Sequence, residues 1–257
     1  MSDLGRYPGN RGFSNQLPAG LHPAHSRTYS IEDQERMARA KNYLAWQSRL
    51  IVPELGRRVV EVGCGLGNFT ERLLDRDVIV ALDIEPQCIQ RLERRFPNQK
   101  NLHTFVGETS SEMFTGLARF RPDSCLCVNV LEHIEDDREA LMRMASILEP
   151  RGVIVLWVPA FPALYGAVDR NLGHFRRYRR SSIERLASDT GLNLRKIRYV
   201  NLAGFFAWWM NSHILRRQAL SQLQIDVFDR CIAPVFSRLE RIPPPFGQSL
   251  FAVLQKS

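Results

Sequence analysis

The residues best placed to do chemistry lie in VVEVGCGLGNFT, residues 59–70. Gly63, Gly65 and Gly67 stand between a β-branched run and a segment of helical composition. Glycines there permit a tight turn and let a ligand approach the backbone beside a positive helix N-terminus. The spacing is G-x-G-x-G. A dinucleotide fingerprint needs glycine or alanine at position 68, which is Asn68 here. Glu61 sits in the run just before the turn, where its carboxylate repels a pyrophosphate but suits an ammonium group. Asp83 closes the next β-branched run, VIVALD, where a carboxylate can accept from both hydroxyls of a ribose. A ligand with a ribose, a cationic amine and no phosphate matches these charges, and S-adenosylmethionine is such a ligand.

Methyl transfer from a sulfonium is an in-line displacement that asks mainly for alignment and exclusion of water. A general base is required only when the acceptor is protonated. The candidates are His133, His174 and Tyr178, with Tyr165 and Asp169 nearby in sequence. The structural alternative for His133 is a histidine at a helix start bonded to backbone. Arg176, Arg177, Arg179 and Arg180 can hold an anionic group on a substrate, or pair with the acidic run Glu132, Glu135, Asp136 and Asp137. No metal centre is expected.

Elements must carry these groups. Apolar runs at 58–62, 78–83, 102–106, 125–130 and 152–158 read as strands. Helical patterns fall at 68–75, 86–96, 110–118 and 137–149, the last capped by Asp137 with Leu141, Met144, Ala145 and Leu148 on its apolar face. Such alternation, with nearly all-apolar strands, predicts a parallel sheet covered on both faces. A helix is expected from Ser30 to about Leu55, with a break, as a lid. Residues 159–180 read as a long loop, and Ser181-Ser182-Ile183-Glu184 as a capping box opening a helix to Thr190. A strand near 194–201, a helical insertion over about 203–245 and a last strand at 248–255 complete the reading. Residues 1–28 read as a flexible arm, and 29–257 as one domain.

Composition bounds the classes. With 257 residues, 44% hydrophobic and 24% charged, the chain is globular, and disorder is excluded. Five cysteines without a CxxC pair exclude a disulfide scaffold and suit a reducing compartment, so a cytoplasmic location is expected. No signal peptide or membrane span is found. The net charge is +8, and Lys41, Lys100, Lys196 and Lys256 are the only lysines; Arg favours phosphate and carboxylate, and codon bias explains the excess as well. FFAWWMNSHILRR, 205–217, is read first as a helix packed on the domain or on a second subunit, so a homodimer is open. The other reading is an apolar substrate tunnel or an interfacial helix, giving peripheral contact with the inner face of a membrane.

In order and spacing, VVEVGCGLGNFT, VIVALDIE and VNVLEHIEDD resemble the motif series of class I S-adenosylmethionine-dependent methyltransferases, over residues 40 to 200. The segment PAFPALYGAVDRNLGHFRRY resembles a subgroup of small bacterial methyltransferases of the type-11/12 kind. The resemblance implies a Rossmann-like seven-stranded, mostly parallel α/β sheet with helices on both faces and an antiparallel last strand. It implies cofactor contacts from Glu61, Gly63, Cys64, Gly65, Gly67, Asp83, Ile84 and Glu108, and from Asn129, Val130 and Leu131. Glu108 stands where the family often has Asp against the adenine. The implied activity is methyl transfer from S-adenosylmethionine, yielding S-adenosylhomocysteine, to a small-molecule or lipid-linked acceptor. A nucleic-acid methyltransferase is the alternative, though Asn129-Val130-Leu131-Glu132 is not the Pro-Pro-aromatic pattern that holds a flipped base. A cofactor-binding protein without turnover is the third reading.

Overall fold

The computed structural model describes residues 31–211, 221–240 and 242–257. The 1–28 arm, the Ser30 cap, and His213, Arg216 and Arg217 lie outside the described residues. Helices α1 (Ile31–Ala38) and α2 (Lys41–Ile51) precede strand β1 (Arg58–Val62). There follow β2 (Val78–Asp83), α3 (Pro86–Arg95), β3 (Leu102–Val106), α4 (Glu112–Thr115), β4 (Ser124–Val128), α5 (Asp137–Ile147) and β5 (Val153–Pro159). The chain then makes α6 (Ala167–Asn171), α7 (Arg180–Asp189), β6 (Leu192–Val200), α8 (Leu202–Trp209), α9 (Gln222–Val227), α10 (Ala233–Leu239) and β7 (Ser249–Lys256).

The sheet order is β3-β2-β1-β4-β5-β7-β6. The pairs among β1 to β5 are parallel, and β7 runs antiparallel between β5 and β6. Successive residues of a strand point to opposite faces, so a sheet covered on both sides buries every position. In β5, Ile154, Leu156 and Val158 join one apolar layer, and Val153, Val155 and Trp157 join the other. The sheet reverses its order between β1 and β4. At that point the carboxyl ends of the strands leave a crevice.

Several local expectations are corrected. The 68–75 helix is a single 3-10 turn, Thr70–Leu73, entered from Gly67 at φ +79°. The 110–118 helix is the four-residue α4 followed by a 3-10 turn, Gly116–Phe120. Asp136, rather than Asp137, caps α5, accepting from the Glu139 amide at 2.8 Å. No capping box opens α7: Arg179 is the N-cap without a side-chain bond, and Glu184 pairs with Arg180 instead. The 159–180 loop contains α6 and a 3-10 turn at Pro162–Leu164. The N-terminal helix does break, at Arg39 and Ala40. Among the described residues no helix is long and apolar enough to cross a membrane.

Candidate active site

Gly63, Gly65 and Gly67 all adopt positive φ, at +72°, +51° and +79°. The turn folds over the end of β2: the Gly63 and Cys64 amides both donate to Leu82 O. Asp83 holds the turn from beneath. Its Oδ2 accepts from the Gly65 amide at 2.7 Å and its Oδ1 from the Glu85 amide at 2.9 Å. Each carboxylate oxygen keeps a second lone pair, which is what two ribose hydroxyls require. Ile84, beside it, and Val106, in register with Asp83 on β3, are about half exposed and offer an apolar edge for a flat base. Glu108 is exposed and its carboxylate takes the Ser110 hydroxyl.

Glu61 is 3% exposed and accepts from the Thr70 hydroxyl at 2.6 Å. Burial pushes its carboxyl up to about 8, with the nearby Asp83 charge adding to the rise. A buried acid without a cation partner favours the neutral form, and an incoming ammonium would ionise it. The donor set therefore fits an S-adenosylmethionine: an acid for the amine, an acid for the ribose, and between them a turn whose positions 63, 65 and 67 are glycine. Gln34 of α1 was missed by sequence reasoning, since nothing in a helix pattern says what the helix covers. Its side chain lies over Gly65, where a Cβ would stand 2.5 Å from its Oε1, and it takes the Cys88 thiol at 3.6 Å. A groove of about 550 Å³ opens outside the glycine turn, between Lys41, Leu44, Leu66, Asn68 and Arg72; neither Glu61 nor Asp83 lines it.

On the other side of the turn, Asn129 ends β4 at φ +52°, a conformation asparagine tolerates. Asn129 is exposed, Leu131 fully buried, and Val130 packs directly on Gly63. The next residues, Glu132 and His133, meet the 165–178 segment. Phe175 donates its amide to Glu132 O at 2.8 Å, and the His133 and His174 rings meet edge-on at 4.7 Å. His174 Nδ1 lies 2.9 Å from Asp169 Oδ1, and Arg177 donates to the same oxygen at 2.7 Å. Burial, then the charge of His174, drops the His133 imidazole to about 4, so it is neutral at physiological pH.

Tyr178 is placed differently from the other two candidates. It is 2% exposed, donates to Asp137 Oδ2 at 2.9 Å, and sits 3.2 Å from Leu131 O. Burial and the Asp137 charge raise its phenol far above the ordinary range. The arginines divide as follows. Arg176 pairs with Asp137 at 2.8 Å, Arg177 with Asp169, and Arg180 with Glu184, while Arg179 is exposed. In the aromatic segment Trp208 is buried under Arg177, whose guanidinium lies 4.5 Å from the ring centroid. Phe206, Trp209 and Met210 are exposed.

With this geometry established, the comparisons identify the family. A family model described as a methyltransferase domain matches residues 29–197. An uncharacterized methyltransferase of Mycobacterium tuberculosis (strain H37Rv) is 31% identical over 117 residues, 44% of this chain and 56% of its own length. The trans-aconitate 2-methyltransferase of Rhodopseudomonas palustris (strain BisB5) is 27% identical, over 49% of this chain and 46% of its own. The chain thus spans about half the length of these relatives. The crystal structure of a candidate methyltransferase from Bacillus halodurans C-125 superposes with a TM-score of 0.56 at 15% identity, covering 83% of this chain and 98% of that one. The sheet order, the positive-φ glycine turn over a strand-end aspartate and the family match agree: the chain belongs to the methyltransferase-domain family, on the Rossmann-like class I fold of S-adenosylmethionine-dependent methyltransferases.

Proposed function

We propose that the protein binds S-adenosylmethionine across the glycine turn and transfers its methyl group to a small organic acceptor, releasing S-adenosylhomocysteine. The observation that carries this reading is the pair of buried acids flanking a turn whose glycines have no room for a side chain. A Cβ at Gly63 would fall 2.2 Å from Val130 Cγ2. The bound sulfonium would supply an already activated methyl, leaving the protein to bind, orient and exclude water. Glu61 takes the amine, Asp83 the ribose hydroxyls, and Ile84 with Val106 the base. Glu108, exposed and accepting from Ser110 through one oxygen, has its other oxygen for the adenine.

His133, directly after Glu132, and His174, whose ring meets it edge-on, stand on the acceptor side as the candidate groups for a proton of the acceptor. The small-molecule assignment is supported by the trans-aconitate 2-methyltransferase among the relatives. The exposed Phe206, Trp209 and Met210 support an apolar acceptor, a membrane surface or a second copy of the chain equally, so they extend the reading no further. Buried thiols at Cys64, Cys88, Cys125 and Cys127 support a reducing, cytoplasmic setting.

The test has two parts. Calorimetric titration of S-adenosylmethionine should give one site, weakened at least about 100-fold by Asp83→Ala, which removes both ribose acceptors. Methyl-labelled cofactor incubated with a lysate, followed by organic and aqueous extraction, should place label in a small molecule. Absence of cofactor binding by folded protein sinks the proposal. Label only in nucleic acid would replace the acceptor class.

A further inference from the structure

Glu132 is 1% exposed, and neither of its carboxylate oxygens has a hydrogen-bond partner. An orphaned buried carboxylate costs stability, so its persistence asks for a ligand. His174 Nε2 lies 4.0 Å from Glu132 Oε1, too far to satisfy it. One ligand atom each from Glu132, His133 and His174 lies within 4.8 Å of the others. From this juxtaposition we propose that Glu132, His133 and His174 form a binding site for a divalent transition-metal ion, with Asp169 as the residue that orients His174.

The chemistry of the donors supports Zn²⁺ or its neighbours. Two imidazoles and one carboxylate, with a position left open, are a known zinc set, whose donor atoms sit about 2.0–2.2 Å from the ion. Donors at that distance around a tetrahedral ion lie about 3.4 Å apart, so small side-chain rotations close the present cluster. Asp169 Oδ1 lies 2.9 Å from His174 Nδ1, and Nε2 is the ring nitrogen on the Glu132 side. Metal-bound histidines almost always donate the other ring N–H to a carboxylate, a backbone carbonyl or water.

Charge and rigidity point the same way. The ionised groups that bear on Glu132 are Asp169, Arg177 and His174 when it is protonated. Glu132 and Asp169 set two carboxyl groups beside one guanidinium, surroundings that suit a cation. The frame is stitched by backbone. The Phe175 amide bonds Glu132 O, the His174 amide bonds Asp169 O, and the Tyr165 hydroxyl bonds His174 O. Because Val130 touches the glycine turn, the ion would lie next to the cofactor crevice. Its open position would there hold an oxygen of the acceptor and lower that oxygen's proton affinity. That role rests on the methyl-transfer reading; the metal binding does not.

The experiment uses chelator-stripped full-length protein, ZnCl₂ by calorimetry and CoCl₂ by visible absorption. One equivalent of each should bind, Co²⁺ should show the strong ligand-field bands of a low-coordinate site, and Zn²⁺ should raise the melting temperature. Glu132→Gln and His174→Ala should weaken binding at least about 100-fold, and Asp169→Asn about 10- to 100-fold. Cys231, an exposed thiol, is a competing site, so Cys231→Ser serves as the control. The proposal falls if folded wild-type protein takes up no stoichiometric ion, or if binding is lost in Cys231→Ser and kept in His174→Ala. The wild-type Co²⁺ spectrum decides even if the variants fail to fold. S-adenosylmethionine titrated into the same preparations separates the two readings, since cofactor binding without metal overturns only this one.

Discussion

At Gly63 a methyl group has nowhere to go, because an added Cβ would stand 2.2 Å from Val130 Cγ2 and the backbone is at φ +72°. Two costs are therefore superposed, a clash and a left-handed conformation worth about 1–2 kcal/mol. Gly63→Ala should lose about 2–4 kcal/mol of stability, and Gly63→Ala with Val130→Ala should recover the steric part and keep the conformational part. Urea unfolding of the two variants measures the split, and equal losses would show that Val130 is not what crowds the turn. Tyr178 gives a different kind of test. Its hydroxyl spans Asp137 and Leu131 O, and the residue itself is 2% exposed. Tyr178→Phe should cost about 1–2 kcal/mol and leave methyl transfer within a few-fold of wild type. A hundredfold loss of turnover in a folded protein would return it to the catalytic group.

At the scale of elements, the remote cap of α2 ties the insertion to the N-terminal helices. Ala40 provides no capping side chain. Asp229, in the helical insertion, accepts from the Tyr43 amide at 2.8 Å and from Asn42 Nδ2 at 3.3 Å. A carboxylate there satisfies an orphan donor and meets the positive end of the helix. Asp229→Ala should lose about 2–3 kcal/mol, since a buried amide is left unpaired, and Asp229→Asn less. Hydrogen exchange at Tyr43 and through α10 should accelerate together; acceleration at Tyr43 alone would mean the insertion is held by other contacts. No local pattern announces this contact between distant positions. The strands were legible because burial on both faces writes continuous apolar runs, as in Val153 to Val158. Glu61 and Asp83 were legible because they end or interrupt such runs. Arg176 took the acidic-run partner that the sequence offered as one of two readings, Asp137; Gln34 and the pairing of Arg177 with Asp169 were not legible, because side-chain partners across the chain are set by packing. The Ser181 box and the Asp137 cap misled for the same reason: residue type permits a cap, but helix entry is fixed by tertiary position.

For the whole molecule, the buried acid at the cofactor crevice couples stability to pH in a direction opposite to the usual carboxylate. Glu61 titrates at about 8 in the fold against 4.5 ordinarily, so the folded chain holds a proton that the unfolded chain has released between those values. The unfolded state then binds fewer protons, and the stability of the fold declines as pH rises through that window. The contribution is on the order of a few kcal/mol, complete at pH 4.5 and below and gone above about 8. Urea unfolding at pH 5.5, 7 and 8.5 should show wild-type stability falling. Glu61→Gln should flatten the curve and be the more stable protein at pH 8.5. A wild-type curve that rises over the range would show that Glu61 is ionised in the fold. The same variant should bind S-adenosylmethionine about 10- to 100-fold more weakly, having lost a charged partner for the amine. Cofactor binding at pH 7 should release a proton, measurable as a dependence of the calorimetric heat on buffer ionisation enthalpy and absent in Glu61→Gln. On the proposed function, stability and cofactor affinity thus pull in opposite directions on one carboxylate, whose burial beside Asp83 suits the binding of a cation.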